Sequence, residues 1–318
     1  MSFKVLIPQD ITEAGHKYLH AHDCEVIVLS DSSVESICAA VKDVDALLVR
    51  TASYPAEVFD SARKLKVVAR YGAGVDNIDL EAASRHGVQV CNAPFANSNS
   101  VAEHTITLLL ACAKNLIIQD HACRTGDFES RNRIKGVELE GKVLGLIGCG
   151  HIGRLVAQKA ALGFGMKVVG YDAYADRKDM PEYLTLLDSS KDVYQKSDFL
   201  SLHVPLTPST KNMVNKEIMD HMKQGAVLLN CARGGVVNET DLYEAVKKGK
   251  LAGAGLDVFA DEPIDPENPL YTLDRVIVTP HNAALTAEAA DRMGLHAAQG
   301  IVEVLNGKQP TWPVNHLV

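Results

Sequence analysis

Short apolar runs alternate with amphipathic helical patterns through almost the whole chain, and this alternation constrains the fold more than any other feature. The first series reads KVLIP, EVIVL, DALLVR, KVVAR and VQVCN and ends near Asn97; the second reads KVLGLIG, KVVGYD, FLSLHV, AVLLNCA, AGAGLDVF and RVIVTPH. Strands separated by helices return to the sheet in the same direction, so the pattern predicts parallel α/β architecture. A single core rarely grows past about 250 residues, and this chain has 318. Two doubly wound parallel-sheet units are therefore expected.

The residues between the two series, NSVAEHTITLLLACAKN from Asn99 to Asn115, are apolar all round after a Ser100 cap with Glu103 three positions on. They predict a buried helix linking the units. After the last strand, AEAADRMGLHAAQGIVEVLNG and Trp312-Pro313-Val314 are too short for a domain and are expected to return to the first unit. That unit is then discontinuous, residues 1–98 and 287–318, with 99–286 forming the other.

Composition excludes several classes of partner. The net charge is −8 with no basic tract, which argues against nucleic acid and anionic membranes. No apolar run approaches the length of a membrane span; ITLLLACA, from Ile106, is a core helix by length. MSFKVLIPQD lacks the pattern of a signal peptide, so a cytoplasmic protein is expected. Seven cysteines with no CxxC pair suit neither a disulfide framework nor a zinc ribbon. Cys149 and Cys231 read as small buried filler. His16, His20 and His22 read as a solvated helix end with no carboxylate beside them, so no metal is expected.

In KVLGLIGCGHIGRLVAQKA a strand leads through Gly148-x-Gly150-x-x-Gly153 into a helix. The first glycine suits a tight turn, the second admits a pyrophosphate against the backbone, and the third lets helix and sheet pack closely. Phosphates are favoured at the helix N-terminus by free N–H groups and the dipole. The next strand ends in Asp172, about twenty residues on, where a carboxylate can accept bonds from ribose hydroxyls and repel a 2′-phosphate. NAD is thus expected over NADP, although Arg177 lies nearby.

Further strands deliver Arg233, Asp257 followed by Glu262, and His281 at their carboxyl ends, where open α/β sheets bind ligands. An arginine, an acid and a histidine suit hydride exchange between a nicotinamide and a 2-hydroxy acid. Arg233 can grip a carboxylate and polarise the adjacent carbonyl. His281 can pass a proton to and from the oxygen, and Glu262 within reach of the ring would favour the imidazolium.

RYGAGVDNIDLEAA, NSVAEHTITLLL, LIGCGHIGR, LSLHVPLTPST, LLNCARGGVVNE, AGLDVFADEP and VTPHNAALT occur in this order and spacing. Through them the chain resembles the D-isomer-specific 2-hydroxyacid dehydrogenases, most closely the phosphoglycerate dehydrogenase branch, over nearly its whole length. The resemblance implies a Rossmann-type NAD domain beside a flavodoxin-like, discontinuous substrate domain, and a homodimer joined through the linking helix and the arm RTGDFESRNRIKG. It implies that Arg233, Glu262 and His281 are catalytic. Ala73, Gly148, Gly150, His151, Ile152, Gly153, Asp172, His203, Val204, Pro205, Thr210, Cys231, Ala232, Arg233, Asp257, His281 and Ala283 would bind the cofactor. Arg50, Ser53, Arg70, Gly72, Ala73, Gly74, Arg233 and His281 would meet the substrate, with the Gly72–Gly74 amides forming an anion nest. Formate dehydrogenases pair their histidine with glutamine, so Glu262 speaks against that branch.

Arg50 and Arg70 match arginine positions of phosphoglycerate dehydrogenases and suit a doubly anionic substrate, so 3-phosphoglycerate and serine biosynthesis are the first expectation. Hydroxypyruvate, glyoxylate or another small 2-oxo acid is the alternative, and an NAD-sensing corepressor-type scaffold is a third reading. The C-terminal regulatory domain of some relatives is not expected here, and serine feedback through it is not expected either. Two departures stand out: His151 replaces the family's usual arginine beside the pyrophosphate, and NAAL replaces its glycine-containing turn after His281.

Overall fold

A computed structural model describes residues 2–317. Two compact units emerge, one made of the residues up to Ser98 together with those from Ala284 onward, the other of Asn99–Ala283. Both sheets are wholly parallel.

In the first unit β1 (Phe3–Ile7), β2 (Cys24–Val28), β3 (Ala46–Val49), β4 (Val67–Arg70) and β5 (Gln89–Cys91) lie in the order β2-β1-β3-β4-β5. That is the flavodoxin-like order. Alternate residues of the central strands serve opposite faces, as a period of two demands. Val5, Ile7, Ala46, Leu48, Val67 and Ala69 join one core with Met293, Ala297, Ala298 and Ile301 of the helix Ala287–Leu305. Leu6, Leu47, Val49 and Val68 join the other with Ile37, Val58, Phe59 and Ala82. The C-terminal tail is stitched to β5: the Val314 amide donates to Val90 and the Asn315 side chain accepts from the Val90 amide at 2.6 Å.

The second unit contains β6 (Val143–Ile147), β7 (Lys167–Tyr171), β8 (Leu184–Leu186), β9 (Phe199–Leu202), β10 (Ala226–Asn230), β11 (Leu251–Leu256) and β12 (Val276–Val278). Their order, β12-β11-β10-β9-β6-β7-β8, reverses direction between β6 and β9. This is the Rossmann arrangement, whose switch point opens a crevice at the strands' carboxyl ends. β8 has no counterpart among the expected strands; its three residues, LTL, are too few and too mixed to register as an apolar run.

The linking helix starts at Ser98, so Ser100 lies inside it and is not its cap. NSNS offers several equivalent capping residues, and pattern alone cannot choose among them. Among the described residues no single helix is long and apolar enough to cross a membrane.

Candidate active site

The glycine-rich turn after β6 has the form a dinucleotide requires. Gly148 sits at φ +94°, and a Cβ there would lie 2.3 Å from the His203 carbonyl oxygen. A Cβ on Gly153 would lie 2.4 Å from the Gly148 carbonyl, whereas one on Gly150 would meet open space. Gly150 caps the helix His151–Phe164 without a side chain of its own, leaving the helix end clear for phosphate. His151, exposed, and Ile152 follow as the first helical residues. These features fit NAD.

Asp172 stands at the end of β7 as expected, and its carboxylate is already ordered by backbone amides. Oδ2 accepts from the Cys149 amide at 2.7 Å, and Oδ1 accepts from Tyr174 and Ala175 at 2.9 and 3.1 Å. It therefore clamps the glycine-rich turn to the β7 loop while remaining partly exposed. His203, after β9, bonds through Nε2 to the buried Ser201 hydroxyl at 2.9 Å, and burial pushes its imidazole down to about 4. Val204 borders Gly148, and Pro205 is exposed. Thr210 closes their loop by donating to the Pro205 carbonyl at 2.6 Å and accepting from the Thr207 amide. Cys149 and Cys231 are buried thiols pushed up to about 12, chiefly by burial, so neither is reactive at neutral pH.

The acid and histidine meet. His281 Nδ1 lies 2.7 Å from Glu262 Oε2, while Glu262 Oε1 accepts from the Phe259 amide at 3.0 Å. Burial of Glu262 disfavours its charge, but the His281 and Phe259 hydrogen bonds, with the positive charges of His281 and Arg233, hold its carboxyl below the usual value. Arg233, whose charge is thus felt at Glu262, follows β10 and bonds through Nη1 to the Ala232 carbonyl. The buried Asn230 shapes that turn by accepting from the Ala232 amide and donating to the Arg233 carbonyl. Gly234 brings the turn against the segment that carries Glu262: a Cβ there would overlap the Phe259 backbone at 1.8 Å.

His281 itself has φ +50°, a left-handed conformation costly for a residue with a Cβ. Asp257 holds it there. Fully buried, its carboxylate accepts from the Thr279 hydroxyl at 2.6 Å and from the Asn282 and Ala283 amides at 3.0 and 2.9 Å. Asp257 thus acts on the backbone around His281, and Ala283, also buried, completes the turn.

The first unit gathers its own polar group at the carboxyl ends of β3 and β4. Arg50 Nη1 donates to the Asp10 carbonyl at 2.6 Å, and its guanidinium lies 5.3 Å from the centre of the Tyr71 ring. Arg70 donates to the Tyr71 carbonyl beside Gly72, which has φ +132° and whose amide donates to the Arg70 carbonyl at 2.9 Å, so Gly72 does not offer the free amide expected of an anion nest. The Ala73 carbonyl accepts from Asn92, and Gly74 continues the loop; Ser53 is exposed. Sequence reasoning missed Gln9, whose Oε1 accepts from the Thr51 and Ala52 amides, and Asn77, which donates to the Arg50 and Ala52 carbonyls. It also missed the carboxylate beside His16: Asp10 lies 2.7 Å from its Nε2.

The family described as "D-isomer specific 2-hydroxyacid dehydrogenase, NAD binding domain" matches residues 106–283. The chain belongs to this family. It is 44% identical to a D-3-phosphoglycerate dehydrogenase of Methanocaldococcus jannaschii over 308 residues, covering 96% of this chain and 58% of that protein. It is 43% identical to a hydroxypyruvate reductase of Thermotoga maritima, covering 85% of this chain and 88% of that one. The TT0316 protein of Thermus thermophilus superposes with a TM-score of 0.91 at 35% identity, covering 98% of this chain and 100% of that one. The chain therefore spans somewhat more than half the length of the phosphoglycerate dehydrogenases it resembles. NAD is its cofactor.

Proposed function

We propose that this chain is an NAD-dependent oxidoreductase interconverting a D-2-hydroxy acid and its 2-oxo acid, with D-3-phosphoglycerate and 3-phosphohydroxypyruvate as the first pair. The observation that carries the reaction class is the 2.7 Å bond between His281 Nδ1 and Glu262 on a turn held in a left-handed conformation. With Nδ1 engaged, Nε2 is the nitrogen that gives a proton to the substrate oxygen on reduction and takes it back on oxidation. Arg233 binds the substrate carboxylate and draws charge from the neighbouring carbonyl. Bound NAD supplies or accepts the hydride. Residues 99–286 serve as the cofactor domain, and residues 1–98 with 287–318 as the substrate domain.

Arg50 and Arg70, with the Gly72–Gly74 loop, supply the cationic group that a phosphorylated acid needs. Hydroxypyruvate or glyoxylate is the second reading, favoured by the match over most of the length of the hydroxypyruvate reductase. Leu116, Ile117 and Phe128 are exposed on and beside the arm that follows the linking helix, which suits a homodimer contact. Seven free cysteines suit the cytoplasm. Following NADH absorbance with 3-phosphohydroxypyruvate, hydroxypyruvate, glyoxylate and pyruvate tests the proposal. Preferred turnover of the first supports serine formation, preference for the second or third supports the alternative, and tight NADH binding without turnover of any favours a sensing scaffold.

A further inference from the structure

The geometry points to His104, on the linking helix, as a positioning residue that holds the His281 turn through Thr279 and Asp257. His104 Nε2 lies 2.9 Å from Thr279 Oγ1 and 3.6 Å from Asp257 Oδ1; Thr279 Oγ1 in turn lies 2.6 Å from the same carboxylate oxygen. The Asn282 and Ala283 amides converge on Asp257 from the far side of His281. One chain of contacts thus runs from the helix Ser98–Lys114 to both ends of the turn, Thr279 before His281 and Asn282 after it.

The direction of the bonds follows from the inventory of donors. An ionised carboxylate accepts and cannot donate, and a threonine hydroxyl has one hydrogen. Asp257 already receives two amides, and the shorter contact of Thr279 is to that carboxylate, so the Thr279 hydrogen goes to Asp257. Thr279 must then accept from His104, which fixes a hydrogen on Nε2. With that donor in place, the hydroxyl favours Asp257 over the Leu256 carbonyl, which lies 3.5 Å away, and the carboxylate keeps the orientation that receives the Asn282 and Ala283 amides. Those two bonds restrain the left-handed backbone at His281. His104 therefore acts through Thr279 and Asp257 on where the proposed proton donor points.

The inference rests on the proposed dehydrogenase activity for its kinetic arm and on the hydrogen position alone for its spectroscopic arm. In 15N-histidine spectra of the whole protein, with His104 assigned by its loss in His104→Gln, Nε2 should carry a hydrogen, and Thr279→Val should shift that resonance. Nε2 without a hydrogen, or a resonance indifferent to Thr279→Val, overturns the proposal whether or not the protein turns over any acid. Kinetically, His104→Leu should lower kcat about tenfold with the NADH dissociation constant and KM nearly unchanged, and His104→Gln should restore most of the loss. Adding Thr279→Val to His104→Leu should cost little more, since one connection is broken twice. Unchanged kcat in His104→Leu, failure of glutamine to restore it while both variants melt like the parent, or additive losses in the double variant would each overturn the assignment. Absence of turnover in the parent protein refutes the proposed function instead, and the spectra still decide the role of His104.

Discussion

The two units hold their polar groups in different ways. At the carboxyl ends of β10 to β12, side-chain carboxylates grip backbone: Asp257 takes two amides and a hydroxyl, and Glu262 takes an amide and an imidazole. In the first unit, Arg50 reaches a neutral carbonyl and rests near an aromatic ring. The nearby Asp10 carboxylate also feels the Arg50 charge, but the hydrogen bond itself goes to a carbonyl, which leaves part of that charge to attract an anion. On the proposed function, the first arrangement fixes the reacting geometry and the second offers a cation to the acid. Reaction class should therefore be robust to change in the first unit, and substrate preference sensitive to it.

The sharpest way to break this contrast is His281→Ala, which should lower kcat by about a hundredfold to ten-thousandfold while NADH binding, followed by fluorescence, persists. Retained turnover would remove the proton-transfer role. Arg50→Ala should raise KM about tenfold for 3-phosphohydroxypyruvate and much less for glyoxylate. An equal change for both acids would mean that Arg50 is a structural tie to Asp10. Asp172→Asn should weaken NADH about tenfold and NADPH less, and, because three amides bind that carboxylate, it should also lower the melting temperature. Equal losses for the two cofactors would leave only the clamp.

A fourth test concerns stability. Burial holds the His203 imidazole at about 4 in the folded chain, against an ordinary value of 6.5. Between these values the unfolded chain binds more protons, so stability is full above the upper value and falls as pH drops toward the lower, by at most about 1.4 kcal/mol per pH unit. Urea unfolding of His203→Gln at neutral and mildly acidic pH should show a shallower decline than the parent; matching declines would assign the acid sensitivity elsewhere. The smallest expected effect is at His151. His151→Arg, which puts a fixed positive charge at the start of the helix His151–Phe164, should tighten NADH binding by a few-fold. Equal NADH affinity in parent and variant rules the effect out.

Much of the fold was legible because buried parallel strands are written as continuous apolar runs, and eleven of the twelve strands carry one. β8 was lost because three residues with a threonine in the middle carry no such signal. The Arg233, Glu262 and His281 positions could be read because each follows a strand that parallel topology brings to one edge. Their supports could not be read. Asn230, Asn77, Gln9 and His104 are ordinary polar residues until the fold sets them against particular amides, hydroxyls and carbonyls. Asp257 shows the same limit: its place at a strand end was visible in sequence, but its burial and its hold on Asn282 and Ala283 were not.

The positive φ at His281 has a consequence for engineering. Glycine or asparagine would occupy that backbone with less strain, so a search for heat-resistant variants should be drawn to His281→Gly and His281→Asn. Those gains would come at the expense of the proposed proton donor, and on that proposal this turn is a place where durability and turnover are set against each other.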